Sequence, residues 1–137
     1  MRHDWTLLCT EVQVKDTGTI DLGNVFSTLQ VRNPFNPSAR AEHLIFDPPA
    51  ILLSQWTVEF DSDQRLHTAI VQLVAPGGDR ILWGDELEFD LRGKAIFHMI
   101  YLLNNLPLVG KGIYEFHVYL KPYGPIGEWG RTCLTIG

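Results

Sequence analysis

The feature that most limits the fold of this chain is a two-residue alternation of apolar and polar side chains. It is clearest near the C-terminus, where Tyr114, Phe116 and Val118 alternate with Glu115 and His117. Successive side chains of a β-strand point to opposite faces of the sheet, so a segment of this kind forms a strand with one buried and one solvated face. The alternation therefore favours an all-β chain over a helical one.

Similar segments recur along the chain, and turn-forming residues such as Pro76, Gly77 and Gly78 separate them. About eight strands at this spacing are typical of a sandwich rather than of a parallel α/β fold. We expect residues 1–137 to form a single domain, an antiparallel two-layer β-sandwich of immunoglobulin-like or jelly-roll type. The predicted strands lie within residues 5–15, 20–32, 52–60, 69–73, 87–91, 95–103, 113–121 and 131–136.

Three segments depart from a simple alternation. The apolar positions change parity around Leu22, which predicts a bulge or bend near Gly23. Residues 33–49 hold four of the eight prolines, and this density predicts a long irregular crossover instead of a central strand. Residues 96–106 also fit a helical stripe, but their Ile, Phe and Tyr content favours a strand, and their continuous apolar run predicts that both faces are covered.

The composition excludes several classes of partner. Eleven basic and sixteen acidic side chains give a net charge of −5, which opposes binding to nucleic acid. No apolar run is long enough for a membrane span or a signal peptide, so we expect a soluble cytoplasmic protein. In that compartment the two cysteines, Cys9 and Cys133, are expected to be free thiols.

No motif in the chain indicates a reaction centre. The five histidines are widely spaced, and there is no nucleophile elbow, phosphate loop or dinucleotide fingerprint. We therefore predict no catalytic residues and no cofactor. The weak candidates for a metal site are Asp61 and Asp63, joined by Asp79 or Asp85, because calcium takes carboxylate oxygens at loop tips. The alternative is a solvated turn whose acids bond the local backbone.

Aromatic residues provide the main functional indication. His117 and Tyr119 fall on the polar side of their predicted strand, and Tyr123 and Trp129 lie in a loop rich in Pro and Gly. Amphipathic rings held near solvent are used at protein interfaces and in sugar-binding sites. The alternative is that Tyr119 covers a neighbouring strand and Trp129 folds over an open end of the sheet. Trp56, in contrast, is predicted to lie in the core.

Two stretches of the sequence resemble a family of small bacterial β-proteins that is catalogued only as a domain of unknown function. LLCTEV at residues 7–12, followed by LGNVF at 22–26, is similar to the opening hairpin of that family, and YLLNNLP at 101–107, followed by GIYEF at 112–116, is similar to its closing passage. The order agrees. The resemblance implies a fold but no catalytic residues, and the Pro-rich crossover and the loop before Trp129 depart from it.

Three functional hypotheses follow. The first is a non-enzymatic β-sandwich module that binds another protein or its own copies through the final hairpin and the loop that holds Tyr123 and Trp129. The second is a small-ligand or carbohydrate-binding module that uses Trp129, Tyr123 and Trp83 for stacking. The third is a metal-dependent enzyme assembled from scattered His and Asp side chains, which would require a metal or a convergent acidic cleft.

Overall fold

The computed structural model describes residues 1–16, 19–30, 42–121 and 129–137. Among these residues there are ten β-strands and one 3₁₀ turn, Asp61–Asp63, and there is no α-helix. The strands are β1 (Arg2–Cys9), β2 (Glu11–Val14), β3 (Ile20–Gly23), β4 (Thr28–Leu29), β5 (Glu42–Thr57), β6 (Leu66–Val74), β7 (Ile81–Asp90), β8 (Ile96–Leu108), β9 (Gly112–Leu120) and β10 (Trp129–Ile136).

The strands form two packed sheets and a separate hairpin. The small sheet has the order β1-β5-β8, the large sheet has the order β4-β10-β9-β6-β7, and β2 pairs with β3. Every pairing is antiparallel except that of β4 with β10, which is parallel. The prediction of an all-β sandwich is confirmed.

The main core lies between the two sheets and contains the apolar side of each alternating strand. The small sheet contributes Trp56 and Met99, and the large sheet contributes Leu73, Tyr114 and Phe116, all at most 1 % exposed. These side chains pack into one cluster that both sheets share. Burial of this apolar surface is the main favourable contribution to folding.

Side chains also close one lateral edge of the sandwich, where β7 and β8 approach each other. Phe89 and Phe97 stack with ring centroids 4.1 Å apart, and Trp83 meets Tyr101 edge-on at 5.5 Å. The Tyr101 hydroxyl donates a hydrogen bond of 2.5 Å to the Asp85 carboxylate. Strands β7 and β8 belong to different sheets and do not pair through their backbones, so side chains alone connect them at this edge.

A second, smaller core lies on the outer side of the small sheet. Cys9, Ile51 and Leu53 are buried there, under the hairpin residues Val12 and Ile20. The expected two layers are therefore extended locally by a third. The reason is visible in β5, where residues of both parities are apolar, so that the strand needs cover on both faces.

The prediction of an irregular crossover over residues 33–49 is wrong from Glu42 onward. Strand β5 begins at Glu42 and is the central strand of the small sheet. Its pairing with β8 is interrupted between Ile45 and Ala50, and Pro48 and Pro49 lie in this interruption. A bulge leaves residues without ladder partners, so prolines are tolerated there even in a central strand. Residues 33–41 lie outside the described part of the chain.

The ambiguous apolar segment is a strand, as predicted, but the expectation that both of its faces are covered is wrong. In β8, Ile96, Ile100 and Leu102 point outward and are 51 %, 41 % and 56 % exposed. The hairpin β2–β3 covers the neighbouring part of the small sheet, around Leu53, and leaves these three side chains in solvent.

The predicted bend near Gly23 is present. Strand β3 ends at Gly23, and the next residue, Asn24, has a φ of 50°, a left-handed conformation that Asn tolerates better than most residues. With a second break at Thr10, the two long strands predicted in this region become four short ones. Within the described ranges, no helix has the length and apolar character required to cross a membrane.

Candidate functional site

The outer face of the large sheet brings together three of the four residues that were predicted to bind a partner. Because Val118 and Leu120 point into the core, His117 and Tyr119 point outward from β9. Trp129, the first residue of β10, lies directly opposite Tyr119 in the antiparallel register. We call the surface formed by His117, Tyr119 and Trp129 the aromatic face.

Within the aromatic face, two of the three rings, those of Trp129 and His117, are in contact. The Trp129 indole meets the His117 imidazole edge-on, with centroids 4.9 Å apart and planes inclined by 65°. His117 and Tyr119 are half-buried, and 36 % of Trp129 is exposed. Cross-strand neighbours on one face of an antiparallel pair restrict each other's side chains. The indole is therefore held in place while much of its surface remains in water.

Paired charges surround the aromatic face. The Glu115 carboxylate accepts a hydrogen bond of 2.9 Å from His117 Nε2, and its other oxygen lies 3.4 Å from Arg131 Nη1. On the opposite side, Lys121 Nζ lies 2.5 Å from a carboxylate oxygen of Glu86. All of these groups are at least partly in solvent, so each pair contributes little to stability.

A shallow depression of about 430 Å³ adjoins the aromatic face. It lies along β6 and β7, where Ile70 and Gln72 are the β6 neighbours of Tyr119 and His117. Gly84 contributes to the depression because it has no side chain to fill the space opposite Gln72. The remaining lining residues are Asp85 and Glu86.

The other two aromatic residues named from the sequence do not join this surface in the described structure. Tyr123 lies outside the described residues. Trp83 packs against the main core and against Tyr101 at the β7–β8 edge, so it faces the interior side of the large sheet. The structure therefore does not support the predicted stacking surface that combined Trp83 with Trp129.

The weak metal candidates are placed by the 3₁₀ turn. Asp63 is only 7 % exposed, and its Oδ2 accepts hydrogen bonds from the Met1 amino group at 2.7 Å and from the amides of Phe60 at 3.1 Å and Glu59 at 3.3 Å. Burial raises the pKa of this carboxyl, but the hydrogen bonds outweigh burial and hold the pKa below its usual value. An oxygen already engaged by three donors is a poor cation ligand. Asp61 is exposed.

The histidines do not converge on a common site. Each of the five imidazoles has a hydrogen-bond partner of its own: Thr6 for His3, Asn105 for His43, the Asp63 carbonyl for His67, Gln55 for His98 and Glu115 for His117. In the described ranges, no group of three or more His, Cys, Asp or Glu side chains is placed to hold a metal ion.

The two thiols do not lie close to each other either. Cys9 is buried in the small core on the outer side of the small sheet, and burial raises its pKa. Cys133 is exposed on the outer face of the large sheet, beside Glu115. Although β1 and β10 contact each other, they belong to different sheets, and the two thiols lie on opposite outer surfaces of the sandwich.

Sequence reasoning missed a second exposed surface, on the outer side of the small sheet. There Ile96, Ile100 and Leu102 form a row along β8, and the rings of Trp5 and His98 lie 6.2 Å apart beside them. The signal that could have identified it is the apolar run of β8 itself, which is longer than the cover available from a hairpin of two four-residue strands.

Comparison with known proteins adds no further assignment: no protein-family model matches the chain, and no curated protein matches it.

Proposed function

We propose that this protein is a non-catalytic β-sandwich module that binds a protein partner through the aromatic face. The observation that carries the proposal is the exposed indole of Trp129, which contacts His117 and lies opposite Tyr119 on a regular sheet. Trp and Tyr dominate the energetic centres of protein interfaces because they bury a large apolar surface and still offer a polar atom.

The arrangement of charge supports a protein rather than a nucleic acid as the partner. Interfaces between proteins have a centre poor in charge and a polar rim. Here the rings form the centre, and the paired charges of Glu115, Arg131, Lys121 and Glu86 form the rim. Net charge also matters: a chain of −5 repels the phosphate backbone.

Rigidity of the surface supports the same proposal. Association costs less free energy when side chains are already held in their bound conformations. Trp129 contacts His117 and lies opposite Tyr119, and both partners stand on β9, a strand paired on both sides. The aromatic face therefore presents a surface that needs little reorganisation on binding.

The test is quantitative affinity purification with the wild type, Trp129→Ala and Phe60→Ala. Phe60 is a matched control, since it is an aromatic residue, 63 % exposed, and lies away from the aromatic face. We expect a partner retained by the wild type and Phe60→Ala to be lost by Trp129→Ala. With the purified partner, the loss should reach about 2–4 kcal/mol, as for an interface centre. Equal retention by all three proteins would show that the aromatic face is not the binding surface.

A second candidate function is recognition of a small hydroxylated ligand in the depression beside Tyr119. Gln72 and Glu86 offer hydrogen-bonding groups around an apolar floor at Ile70, and such a combination is found in sugar sites. A glycan array, followed by NMR titration of any hit, distinguishes this function. Shifts confined to β6 and β7 would support it, and the absence of any hit would remove the sugar version.

A further inference from the structure

The edges of the two sheets differ in how they are protected. Strand β7 ends the large sheet and carries four carboxylates, Asp85, Glu86, Glu88 and Asp90, which repel a like-charged edge. Strand β4 has only two residues. Strand β8, which ends the small sheet, has thirteen residues and contains no Asp, Glu, Lys or Arg.

The free edge of β8 carries unpaired backbone groups. The strand pairs with β5 on one side, and in the described part of the chain it has no strand partner on the other. Half of the peptide groups of such a strand point away from its partner, and they form a template for another strand. The contacts with β7, through Phe97 and Tyr101, are made by side chains on the inner face and leave this edge in the plane of the small sheet open.

From these observations we infer that β8 pairs antiparallel with β8 of a second copy of this chain, so that two small sheets join into one continuous sheet of six strands. A protein with a net charge of −5 opposes its own association over most of its surface. Residues 95–103 contain no Asp, Glu, Lys or Arg, so this repulsion is least at the β8 edge. Burial lowers the pKa of His98 and so favours the neutral form of its imidazole.

Symmetry determines the register. A two-fold axis perpendicular to the sheet keeps the outward side chains of both copies on one surface. The axis then passes midway between one residue and the same residue of the second copy. Pairing centred on Met99 uses the whole uncharged segment. It places Ile96 against Leu102 of the second copy and His98 against Ile100 of the second copy. The exposed apolar row of one copy is thereby continued by that of the other, and the cross-strand neighbours contact each other.

The experiment is sedimentation analysis of the wild type, Leu102→Lys and Ile113→Lys over a wide range of concentration. Leu102 and Ile113 are 56 % and 58 % exposed and lie on different sheets. Each variant therefore adds one positive charge at a similarly exposed apolar position. We expect the wild type and Ile113→Lys to form a dimer and Leu102→Lys to remain a monomer, because an edge lysine blocks strand pairing. A wild type that stays monomeric at all concentrations, or a dimer that survives Leu102→Lys, overturns the inference.

Cross-linking through a pair of introduced cysteines tests β8 pairing independently. It replaces the lysine variant if circular dichroism shows that Leu102→Lys is unfolded. In a Cys133→Ser background, Ile96→Cys combined with Leu102→Cys should form a disulfide-linked dimer under mild oxidation, and either single variant should not. Failure of the double variant to cross-link overturns the proposed register. Trp129→Ala should still dimerise, because the aromatic face lies on the other sheet, and loss of the dimer in that variant would also count against β8.

Discussion

Gly130 lies directly against the imidazole of His3, where β10 passes β1. A Cβ atom added to Gly130 would meet His3 Nε2 and Thr6 Oγ1 at distances that real Cβ atoms do not reach. These two atoms are hydrogen-bonded to each other at 2.7 Å, and Thr6 continues the chain of bonds to the buried hydroxyl of Ser54 at 2.9 Å. His3 also packs edge-on against Trp56. Since both side chains are held in place, neither can yield easily.

Gly130→Ala should therefore lower the free energy of unfolding by about 1–3 kcal/mol, the usual effect of forcing an extra methyl group into a packed site. Gly84→Ala is the matched control, because its new Cβ would meet only ordinary contacts at 3.5 Å and 3.7 Å and should change stability by less than about 0.5 kcal/mol. Urea denaturation of the two variants measures both effects. Equal midpoints would show that β1 can move away from β10 without cost.

Tyr114→Phe should also destabilise the fold. The hydroxyl of Tyr114 donates to the Gly110 carbonyl at 2.6 Å and accepts from the Val109 amide at 2.9 Å, while its ring is completely buried. This arrangement is similar to the tyrosine corner of other β-sandwiches. We expect a loss of about 1–3 kcal/mol, because the substitution leaves two backbone groups without their partner.

Thermal or chemical unfolding measures that loss. Tyr119→Phe is a suitable control, since the Tyr119 hydroxyl has no hydrogen-bond partner among the described residues. A loss of similar size in both variants would attribute the effect to the phenol in general rather than to the bonds of Tyr114.

Asp63 predicts how stability changes in acid. Burial raises its pKa, but the Met1 amino group and the amides of Phe60 and Glu59 lower it by more than burial raises it. The pKa of Asp63 is therefore lower in the folded than in the unfolded chain. A depressed carboxyl pKa stabilises the fold above the pKa of the unfolded chain, and the contribution is lost as the pH falls through the folded pKa. Asp63→Asn should therefore be less stable than the wild type near neutral pH.

The difference between the two proteins should shrink as the pH falls below the ordinary aspartate pKa. Denaturant titrations at a series of pH values, from neutral to strongly acidic, provide the measurement. A difference that stays constant across this range would mean that the carboxylate charge of Asp63 does not contribute to stability.

The two thiols should differ in reactivity. Cys133 is exposed and should be alkylated in the native protein, whereas Cys9 is buried, with a pKa raised by that burial, and should react only after unfolding. Mass spectrometry after iodoacetamide treatment should find one modified cysteine in the native state and two in denaturant. Cys133→Ser should remain unmodified while folded. Labelling of Cys9 in the native protein would indicate that the hairpin β2–β3 opens readily.

Much of the architecture could be predicted from local patterns. The alternation through Tyr114, Phe116 and Val118 correctly assigned the inner and outer faces of β9, and with them the outward positions of His117 and Tyr119. The turn at Gly77 and Gly78 is present as well, with positive φ at both residues. These features depend on neighbours in the chain, whose stereochemistry is the same in any protein.

Other features depend on contacts between distant segments. Proline density argued against a strand after Glu42, but the bulge opposite β8 accommodates Pro48 and Pro49. Likewise, the apolar run of β8 contained no information on how much of it would be covered, because the cover comes from the hairpin β2–β3, more than seventy residues earlier in the chain.

By itself, then, the sequence determined that the chain forms strands, which side of each strand is apolar, and that Trp129, Tyr119 and His117 lie outside the core. Only the tertiary structure decided that these three residues meet on one surface, that the Asp63 carboxylate accepts three hydrogen bonds, and that β8 is left with a free edge. The physical reason is that the direction of a side chain follows from the backbone geometry of its own strand, whereas strand order, register and cover follow from the packing of the whole molecule.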